Sequence, residues 1–355
     1  MTCSRPHLPY CLRLLCLVLA FALLLPGDPG GLFAATRASD QQTKSSHAPK
    51  RKAAEARQST EQKAPKPRAQ KAQKHKEPRK ARSAKRKAAV SAQEGMHLNV
   101  KAAYLMNMSN GKVYYAQDAD DQIPPASVTK VLTLYLVREA MAQGRISPNT
   151  PIPVSALAIR TGGSTMSLYK GEKVPLSEII KGISVVSANN ACVAVAEYLG
   201  KGDSRRFVAQ MNATARRLGM RRSVFRNPNG LPATGQVSTA ADIARLSAAY
   251  LARFPDSLAI HSMTTHTYHG VTHRNANSLL GRYDGVDGLK TGFVCASGYN
   301  ITATAKRGNT RLIAVVLGAR NPIVREVETA RLLEYGFEKA AAEAPAPAKP
   351  QRKKK

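Results

Sequence analysis

The 355-residue sequence predicts a mixed α+β domain, in which strands from both ends of the folded segment surround a helical middle. Two observations predict this fold class. Near residue 97 and beyond residue 272 the sequence shows strand patterns with turn residues between them. Between these regions apolar residues recur at helical spacing. We therefore expect a mixed sheet with a helical insertion.

The first predicted element is a β-hairpin. Residues 97–106 alternate apolar with polar side chains, and residues 112–116 form the returning strand. The dipeptide Asn110-Gly111 between them is typical of a type I′ turn. The hairpin is expected to lead directly to Ser127.

Helices are predicted through the middle of the chain, where apolar periodicity and start or stop residues coincide. In chain order they run from Ser127 to near Gly144, from Pro175 toward Ser187, from Asn189 to Gly200, over 205–218 and from Thr239 to Leu251. Thr239 and Asp242 are typical of a capping box. Residues 150–175 are predicted to be a loop, and residues 227–232 a cluster of turns.

Three strands and a helix close the folded segment. The strands are predicted over 286–291, 299–306 and 310–317, and the helix over 325–335. Alanine and proline dominate the residues from Ala340 onward. We expect a folded domain over 95–340 and a disordered basic tail over 341–355.

Residues 1–35 are typical of an export signal. The apolar stretch 14–25 follows Arg5 and Arg13 and ends at Pro26. This stretch is short for a spanning helix, which needs ~20 residues. We expect an exported protein of the periplasm or cell envelope; an uncleaved signal that acts as a membrane anchor is an alternative.

The net charge of +31 is spread unevenly. Between Lys44 and Lys87 there are 17 Lys or Arg against 3 Glu, and residues 95–343 carry 29 Lys or Arg against 17 Asp or Glu. Residues 36–94 contain few large apolar side chains and are predicted to be a disordered linker. This linker is either a solvated spacer or an electrostatic tether to an anionic envelope polymer or membrane surface. It lacks interleaved aromatic residues, so a nucleic acid partner is not expected.

Two residue types, histidine and cysteine, could bind a metal ion or form a disulfide. His261, His266, His269 and His273 cluster without a Cys or Glu at ligand spacing, so we expect exposed hairpin residues and no metal or other cofactor. Three of the five cysteines lie in the signal. The remaining Cys192 and Cys295 are predicted to be buried free thiols, with a single bridge as the alternative.

Ser127 and Lys130 are spaced to face each other on one side of a helix start. The preceding prolines place Ser127 near the helix N-terminus, where free N–H groups favour developing negative charge. A lysine can take the proton of a serine only if burial or nearby positive charge keeps part of it neutral. This pair therefore predicts a serine nucleophile with a lysine base.

Two further elements follow in order, Ser187-Ala188-Asn189 and Lys290-Thr291-Gly292, the latter on a predicted strand. None of the three patterns is specific alone. Ser167 and Lys170 also form a Ser-x-x-Lys pattern, and Ser147 and Asn149 form a Ser-x-Asn pattern. Gly171 and Pro148 argue against these two alternatives. The ordered trio predicts an acyl-transfer site.

With this trio, the Asn110-Gly111 hairpin and the 227–232 turn, the chain resembles the low-molecular-mass penicillin-binding proteins, the serine D-alanyl-D-alanine carboxypeptidase family, over about residues 98–337. The resemblance implies a β-lactamase/transpeptidase-like fold, with an antiparallel sheet flanked by helices and a helical subdomain. It implies removal of the terminal D-alanine from peptidoglycan stem peptides, and covalent inhibition by β-lactams.

The resemblance also implies roles for nine residues. As catalytic residues it implies Ser127 as nucleophile, Lys130 as base and Ser187 as proton relay. As substrate-binding residues it implies Asn189 for the substrate amide, Lys290 for positive charge, Thr291 and Arg325 for the terminal carboxylate, and the amides of Ser127 and Phe293 as oxyanion hole. Gly292 is expected to let an extended peptide approach the strand. The alternative for Arg325 is a surface charge.

Two residues depart from the family pattern, Ala188 and Asn190, where glycine and aspartate are common. Asn190 removes a charge and is expected to alter rate or preference. A class A β-lactamase is disfavoured because no glutamate lies between Glu197 and Glu326. A DD-endopeptidase with the same residues and a non-catalytic wall- or polyanion-binding protein remain as alternatives.

Overall fold

The computed structural model describes residues 95–343, so the predicted signal, the basic linker and most of the predicted tail lie outside the described residues. The strands of the described part are, in chain order, β1 (Ala102–Asn107), β2 (Val113–Gln117), β3 (Pro151–Pro153), β4 (Lys173–Pro175), β5 (Thr265–Tyr268), β6 (Val271–Arg274), β7 (Val286–Val294), β8 (Gly298–Arg307) and β9 (Thr310–Ala319).

The α-helices within residues 95–343 are α1 (Lys130–Ala142), α2 (Ala156–Arg160), α3 (Leu176–Lys181), α4 (Asn189–Leu199), α5 (Ser204–Arg217), α6 (Ala240–Arg253), α7 (Leu258–His261) and α8 (Pro322–Glu343). Two irregular turns matter for the site: a 3₁₀ turn over Ala126–Thr129 and a π-helical turn over Gly182–Val186.

The main sheet has five antiparallel strands in the order β2-β1-β9-β8-β7. The N-terminal hairpin thus joins the three C-terminal strands, and the chain between them is mostly helical. The predicted α+β fold with a helical insertion is confirmed, whereas the sheet is antiparallel throughout and not mixed. Within residues 95–343, strand β7 lies at one edge of this sheet and pairs with β8 on one side only.

Both faces of the sheet are buried, and β9 shows how. Leu312, Ala314 and Val316 pack on one face with Leu332, Leu333 and Phe337 of α8. Ile313, Val315 and Leu317 point to the other face and join the larger core that includes α1 and α6. Since successive strand residues face opposite sides, a continuous apolar run is what a strand buried on both faces requires.

Most helices lie where the sequence predicts them. Thr239 caps α6 by accepting a hydrogen bond from the Asp242 N–H, while the Asp242 carboxylate accepts from Ser223 and the Arg222 N–H. The N-cap is therefore confirmed without the reciprocal bond of a capping box. The closing helix α8 extends to Glu343, beyond the predicted boundary at residue 340.

Two local predictions are wrong. Residues 150–175 are not a plain loop, because β3, α2 and β4 lie within them, and β3 pairs with β4. The Asn110-Gly111 turn is not type I′, which needs left-handed φ at both central residues. Only Gly111 of the pair has one, at +71°, and its N–H closes a longer loop onto the Asn107 carbonyl.

The histidines lie on α7 and the β5–β6 hairpin, and the prediction that all are exposed is wrong for two. His261 and His266 are buried, and His261 packs edge-on against Tyr250, at 3.1 Å from its hydroxyl. Burial lowers the pKa of His261 to about 3. Among residues 95–343 no group of three or more His, Cys, Asp or Glu is arranged to hold a metal ion.

The two cysteines of the described part are both free, and only one is buried. Cys192 is fully buried in α4, whereas Cys295 is exposed in the turn after β7, which corrects the prediction of two buried thiols. No described helix is both long enough and apolar enough to cross a membrane.

Candidate active site

Ser127 lies in the 3₁₀ turn over Ala126–Thr129, and the regular α-helix α1 begins only at Lys130. The preceding Ala126 has a left-handed φ of +51°, a conformation that costs free energy for a residue with a Cβ. Gly230 lies directly against the Ala126 carbonyl, in a space where no Cβ would fit. The 227–232 turn therefore packs against the backbone that presents the serine.

Lys130 is completely buried at the first position of α1, one turn after Ser127. Its ammonium Nζ lies 2.7 Å from Ser127 Oγ, 2.7 Å from Asn189 Oδ1 and 2.6 Å from the Asn229 carbonyl. Three oxygens thus surround the one nitrogen, and they hold it against the serine hydroxyl.

Burial lowers the pKa of Lys130 to about 8, because the charged form loses its hydration. The sequence predicts that Lys130 and Lys290 lower each other's pKa. That effect is seen for Lys290. Its pKa lies well below the ordinary value, first because the side chain is buried and second because Lys130 is close. For Lys130 the cause is burial itself. An amine with a pKa near 8 can accept the proton of a serine at neutral pH.

The second element brings Ser187 and Asn189 to the same place. Ser187 ends the π-helical turn with a left-handed φ of +63°, and it lines the cavity in front of Ser127. Asn189 begins α4; its Oδ1 accepts from Lys130, and its Nδ2 donates to the Gly162 carbonyl at 2.8 Å. The left-handed Ser187 lets the chain turn between two helical segments and face the cleft.

The third element runs along the free edge of the sheet. Lys290 is buried, and its Nζ donates to the Thr291 carbonyl at 2.9 Å. Thr291 and Phe293 line the cavity, and the Phe293 ring, 49% exposed, stacks at a tilt on Tyr299 with centroids 4.4 Å apart. β7 thus presents one wall of the cleft.

Gly292 also packs against the serine turn, a contact that the sequence does not indicate. A Cβ there would lie 2.7 Å from the Ser127 amide nitrogen and 3.1 Å from the Val128 nitrogen. The missing side chain therefore makes room first for the backbone of the serine turn, which packs directly on β7. This close approach puts the amides of residue 127 and of the strand on one side of the same cleft.

These elements enclose a cavity of about 540 Å³. Its lining includes Ser127, Ser187, Asn189, Thr291, Gly292, Phe293 and Arg325. Arg325 is 6% exposed, so it is not the surface charge of the alternative interpretation. Its guanidinium donates to the Ala276 carbonyl and to the Glu326 carboxylate, each at 3.2 Å. The cavity wall thus contains the Arg325–Glu326 ion pair.

Sequence reasoning missed several contributors to the site, among them the Asn229 carbonyl, Gly163, Tyr299 and Glu326. A backbone carbonyl leaves no residue-type signal, and the others follow from the packing of distant segments. The turn cluster at 227–232 is the one signal that could have indicated the Asn229 contact.

The contacts of Asn190 give this residue a structural role. Its Nδ2 donates to the Met166 carbonyl at 2.8 Å, and its Oδ1 accepts from the Met166 N–H at 3.2 Å. An aspartate could accept but could not donate in this pair. The side chain secures the 162–166 segment, which contributes Gly163 and Ser164 to the cavity.

Solved structures share this fold. Penicillin binding protein 6B from Escherichia coli matches at 36% identity and a TM-score of 0.66, over 69% of this chain and 79% of that one. Penicillin-Binding Protein D2 from Listeria monocytogenes, in its ampicillin-bound form, matches at 31% identity and a TM-score of 0.63, over 68% of this chain and 99% of that one. The fold is therefore the β-lactamase/transpeptidase fold of the low-molecular-mass penicillin-binding proteins.

The sequence comparisons give the family. A profile of the family described as D-alanyl-D-alanine carboxypeptidase, peptidase S11, matches residues 87–321. D-alanyl-D-alanine carboxypeptidase DacC of Escherichia coli is 37% identical over 257 residues, which is 70% of this chain and 64% of that protein. The chain belongs to this family. It spans 64% and 62% of the length of two curated relatives that it matches.

Proposed function

We propose that the chain is a serine D-alanyl-D-alanine carboxypeptidase, which removes the terminal D-alanine from peptidoglycan stem peptides through an acyl-enzyme on Ser127. The observation that carries the proposal is the buried Lys130 Nζ, 2.7 Å from Ser127 Oγ, with its pKa lowered to about 8. Family membership and relatives named as D-alanyl-D-alanine carboxypeptidases support the same reaction. β-Lactams are expected to acylate the same serine, as an ampicillin-bound relative suggests.

Acylation begins at Ser127. Its Oγ attacks the carbonyl carbon between the two D-alanines while the proton passes to neutral Lys130. The carbonyl oxygen takes the negative charge, and the amides of Ser127 and Phe293 are the donors proposed to stabilise it. The contact of Gly292 with the Ser127 nitrogen supports this role, because it brings those two backbone segments together.

Departure of D-alanine needs a proton on the leaving nitrogen. We assign its delivery to Ser187, which lines the cavity in front of Ser127. The buried Lys290, whose pKa is held well below its ordinary value by burial, is proposed to supply positive charge there when it is protonated. Asn189 is proposed to hold the substrate amide. Its amide is already bonded to Lys130 and Gly162, so substrate binding shares or replaces those bonds.

The substrate carboxylate is assigned to Thr291 and Arg325, which both line the cavity. Arg325 is paired there with Glu326 at 3.2 Å. A bound carboxylate must therefore share the guanidinium with Glu326, and this sharing weakens binding relative to a free arginine. The enzyme is thus expected to release its product readily.

The basic linker and the export signal complete the proposal. We infer that the protein is exported to the periplasm or cell envelope, where the linker contacts an anionic envelope polymer or the membrane surface. The charge of 17 Lys or Arg against 3 Glu between Lys44 and Lys87 supports this partner class.

The test uses the full chain with a peptide ending in D-Ala-D-Ala, and separately with a cross-linked peptide dimer. The proposal expects D-alanine release from the first, and Ser127→Ala abolishes it. Cleavage of the dimer alone would support the endopeptidase instead. Absence of cleavage and of penicillin labelling on folded protein would support the non-catalytic binding protein.

A further inference from the structure

Residues 201–226 concentrate the positive charge of the folded domain. They contain eight Lys or Arg and one acidic residue, Asp203. This short segment therefore has a net charge of +7, out of +12 for residues 95–343. None of its cations lines the catalytic cavity, so the proposed reaction does not account for them.

Four of these cations share one face of helix α5. Each residue turns an α-helix by about 100°, so a position 11 residues further on returns to within about 20° of the same side. Arg216 therefore lies in line with Arg205, and Arg217 in line with Arg206, about 16.5 Å along the axis. The exposed residues between the two pairs are Ala209, Gln210 and Ala213. The face thus carries two arginine pairs with uncharged side chains between them.

The basic surface continues beyond the end of α5, where Arg221, Arg222 and Arg226 are exposed. We name these three residues and the four arginines of α5 the arginine face. A groove of about 370 Å³ borders it, between the first half of α5 and residues 225–228. Its walls include Arg205, Val208, Ala209, Phe225 and Arg226. The groove therefore has an apolar lining and an arginine on each side.

The stability of the helix accounts for only part of this face. Cations in the last turn, such as Arg216 and Arg217, interact favourably with the helix dipole. Arg206 lies in the first turn, where a positive charge is unfavourable and where the helix has no acidic residue. Its position points to a role other than support of the helix.

Ion pairs neutralise few of these arginines. Arg205 pairs with Asp203 at 2.9 Å, and Arg217 pairs with Glu139 at 3.0 Å. Within residues 95–343 the ion pairs do not include Arg206, Arg216, Arg221, Arg222 or Arg226. The charges of these five exposed side chains are therefore available to an anionic partner.

The shape of the arginine face favours an extended chain over a flat surface. The exposed residues between the arginine pairs are small or polar, so this helix has no large apolar side chain there to insert into a bilayer. The arginines instead follow the helix axis, beside a groove that a chain can enter and a flat surface cannot. Arginine binds phosphate through two parallel hydrogen bonds. These features fit a linear polymer that carries phosphate groups.

We propose that the arginine face is a binding site for a linear phosphate-bearing polymer. The phosphates contact the arginine pairs, and uncharged parts of the polymer lie over Ala209 and Ala213 and in the groove. The site belongs to the folded domain and is separate from the basic linker. It leaves the catalytic cavity open, because none of these arginines lines that cavity.

The first test measures how tightly the full chain binds linear polyphosphate at several salt concentrations. The logarithm of the binding constant falls linearly with the logarithm of the salt concentration, by about 0.7 for each phosphate contact on a single-stranded polyanion. A variant that combines Arg206→Gln, Arg216→Gln, Arg221→Gln and Arg222→Gln should reduce this slope by about 3, because it removes four contacts. The contribution of the basic linker is the same in both proteins.

The matched control removes four exposed cations outside the arginine face, by combining Arg160→Gln, Arg274→Gln, Lys306→Gln and Arg320→Gln. Its net charge equals that of the first variant, and its slope should fall by less than about 1. Neither set of residues lines the catalytic cavity, so both variants should label with penicillin like the wild type. An equal fall of the slope in both variants would overturn the site.

A footprint on the wild-type chain tests the site without any substitution. Phenylglyoxal modifies exposed arginines, and bound polyphosphate should protect Arg206, Arg216, Arg221 and Arg222 while Arg160 and Arg274 stay reactive in mass spectra. Protection confined to the linker would overturn the site. Protection of the arginine face by phosphatidylglycerol vesicles and not by polyphosphate would overturn the polymer and assign the face to a membrane. Each of these results leaves the proposed peptidase reaction intact.

Discussion

The pattern Ser-x-x-Lys at Ser127–Lys130 recurs at Ser167–Lys170 with the opposite outcome. In Ser127–Lys130 the lysine is fully buried and bonded to three oxygens, one of them the serine hydroxyl. In the segment 167–170 the lysine is exposed at a turn, and Gly171 follows it with a left-handed φ of +84°. No helix follows the second pattern to carry its lysine under the serine.

The difference shows that spacing alone does not produce a reactive serine. The first pattern packs between α4, β7 and the 227–232 turn, which together desolvate the amine. In the second pattern Leu168 is buried, as is Met166 just before it, whereas the lysine is exposed. The buried side chains of this segment therefore contribute to packing. Burial of the base, supplied by distant segments, distinguishes the two.

The largest expected effect comes from deleting each serine in turn. Ser127→Ala should abolish labelling by a fluorescent penicillin, because it removes the hydroxyl that lies 2.7 Å from Lys130 Nζ. Ser167→Ala should label at the wild-type rate. Denaturing gels of both variants, with circular dichroism to establish folding, measure this; persistent label on folded Ser127→Ala would exclude Ser127 as the nucleophile.

The second largest difference is expected between two glycines, Gly292, which packs against Ser127, and Gly171, which follows Lys170. Gly292→Ala introduces a Cβ 2.7 Å from the Ser127 nitrogen and must displace the serine turn. A misplacement of about 1 Å can cost roughly 100-fold, so we expect penicillin acylation to slow by that order. Gly171→Ala meets no atom within 4 Å, and we expect only a small loss of stability from its φ. Stopped-flow labelling measures the rates, and an unchanged rate for Gly292→Ala would contradict the proposed packing role.

The two lysines should differ in their control of the pH profile. Lys130 is a base only when neutral, and its pKa is about 8. The acylation rate should therefore fall about tenfold per pH unit below pH 8 and level off above it. Lys170→Met should leave this profile unchanged. A rate independent of pH between 6 and 9 would show that Lys130 is not the titrating base.

The smallest effect is expected at Asn190, which bonds to Met166 just before the second pattern. Asn190→Asp loses the donor to the Met166 carbonyl and should cost about 1–3 kcal/mol of unfolding free energy. Its acylation rate should change less than that of Gly292→Ala, because Met166 and Asn190 do not bond to Ser127 or Lys130. Urea unfolding and labelling measured on one sample separate the two effects, and a large rate loss at unchanged stability would point to a catalytic role.

Local sequence patterns predicted helices and strands better than they predicted the tertiary contacts between distant segments. The apolar run of β9 and the caps of α5 and α6 follow from residue type, so these elements were predictable. The contact of the Asn229 carbonyl with Lys130 was not, because a carbonyl is present in every residue. The paired Glu326 and the exposure of Cys295 likewise depend on how distant segments pack.

Contacts of strand β2 carry a consequence for chain connectivity. Tyr115 donates to the Met96 carbonyl at 3.1 Å, while the neighbouring Tyr114 donates to the Glu343 carboxylate at 3.1 Å, which also pairs with Lys112. Both ends of residues 95–343 are thus bonded to strand β2. A linker peptide could join them, and new termini could open in the exposed turn at Gly308 between β8 and β9. The fold is therefore suited to circular permutation, with its cleft assembled in a different chain order.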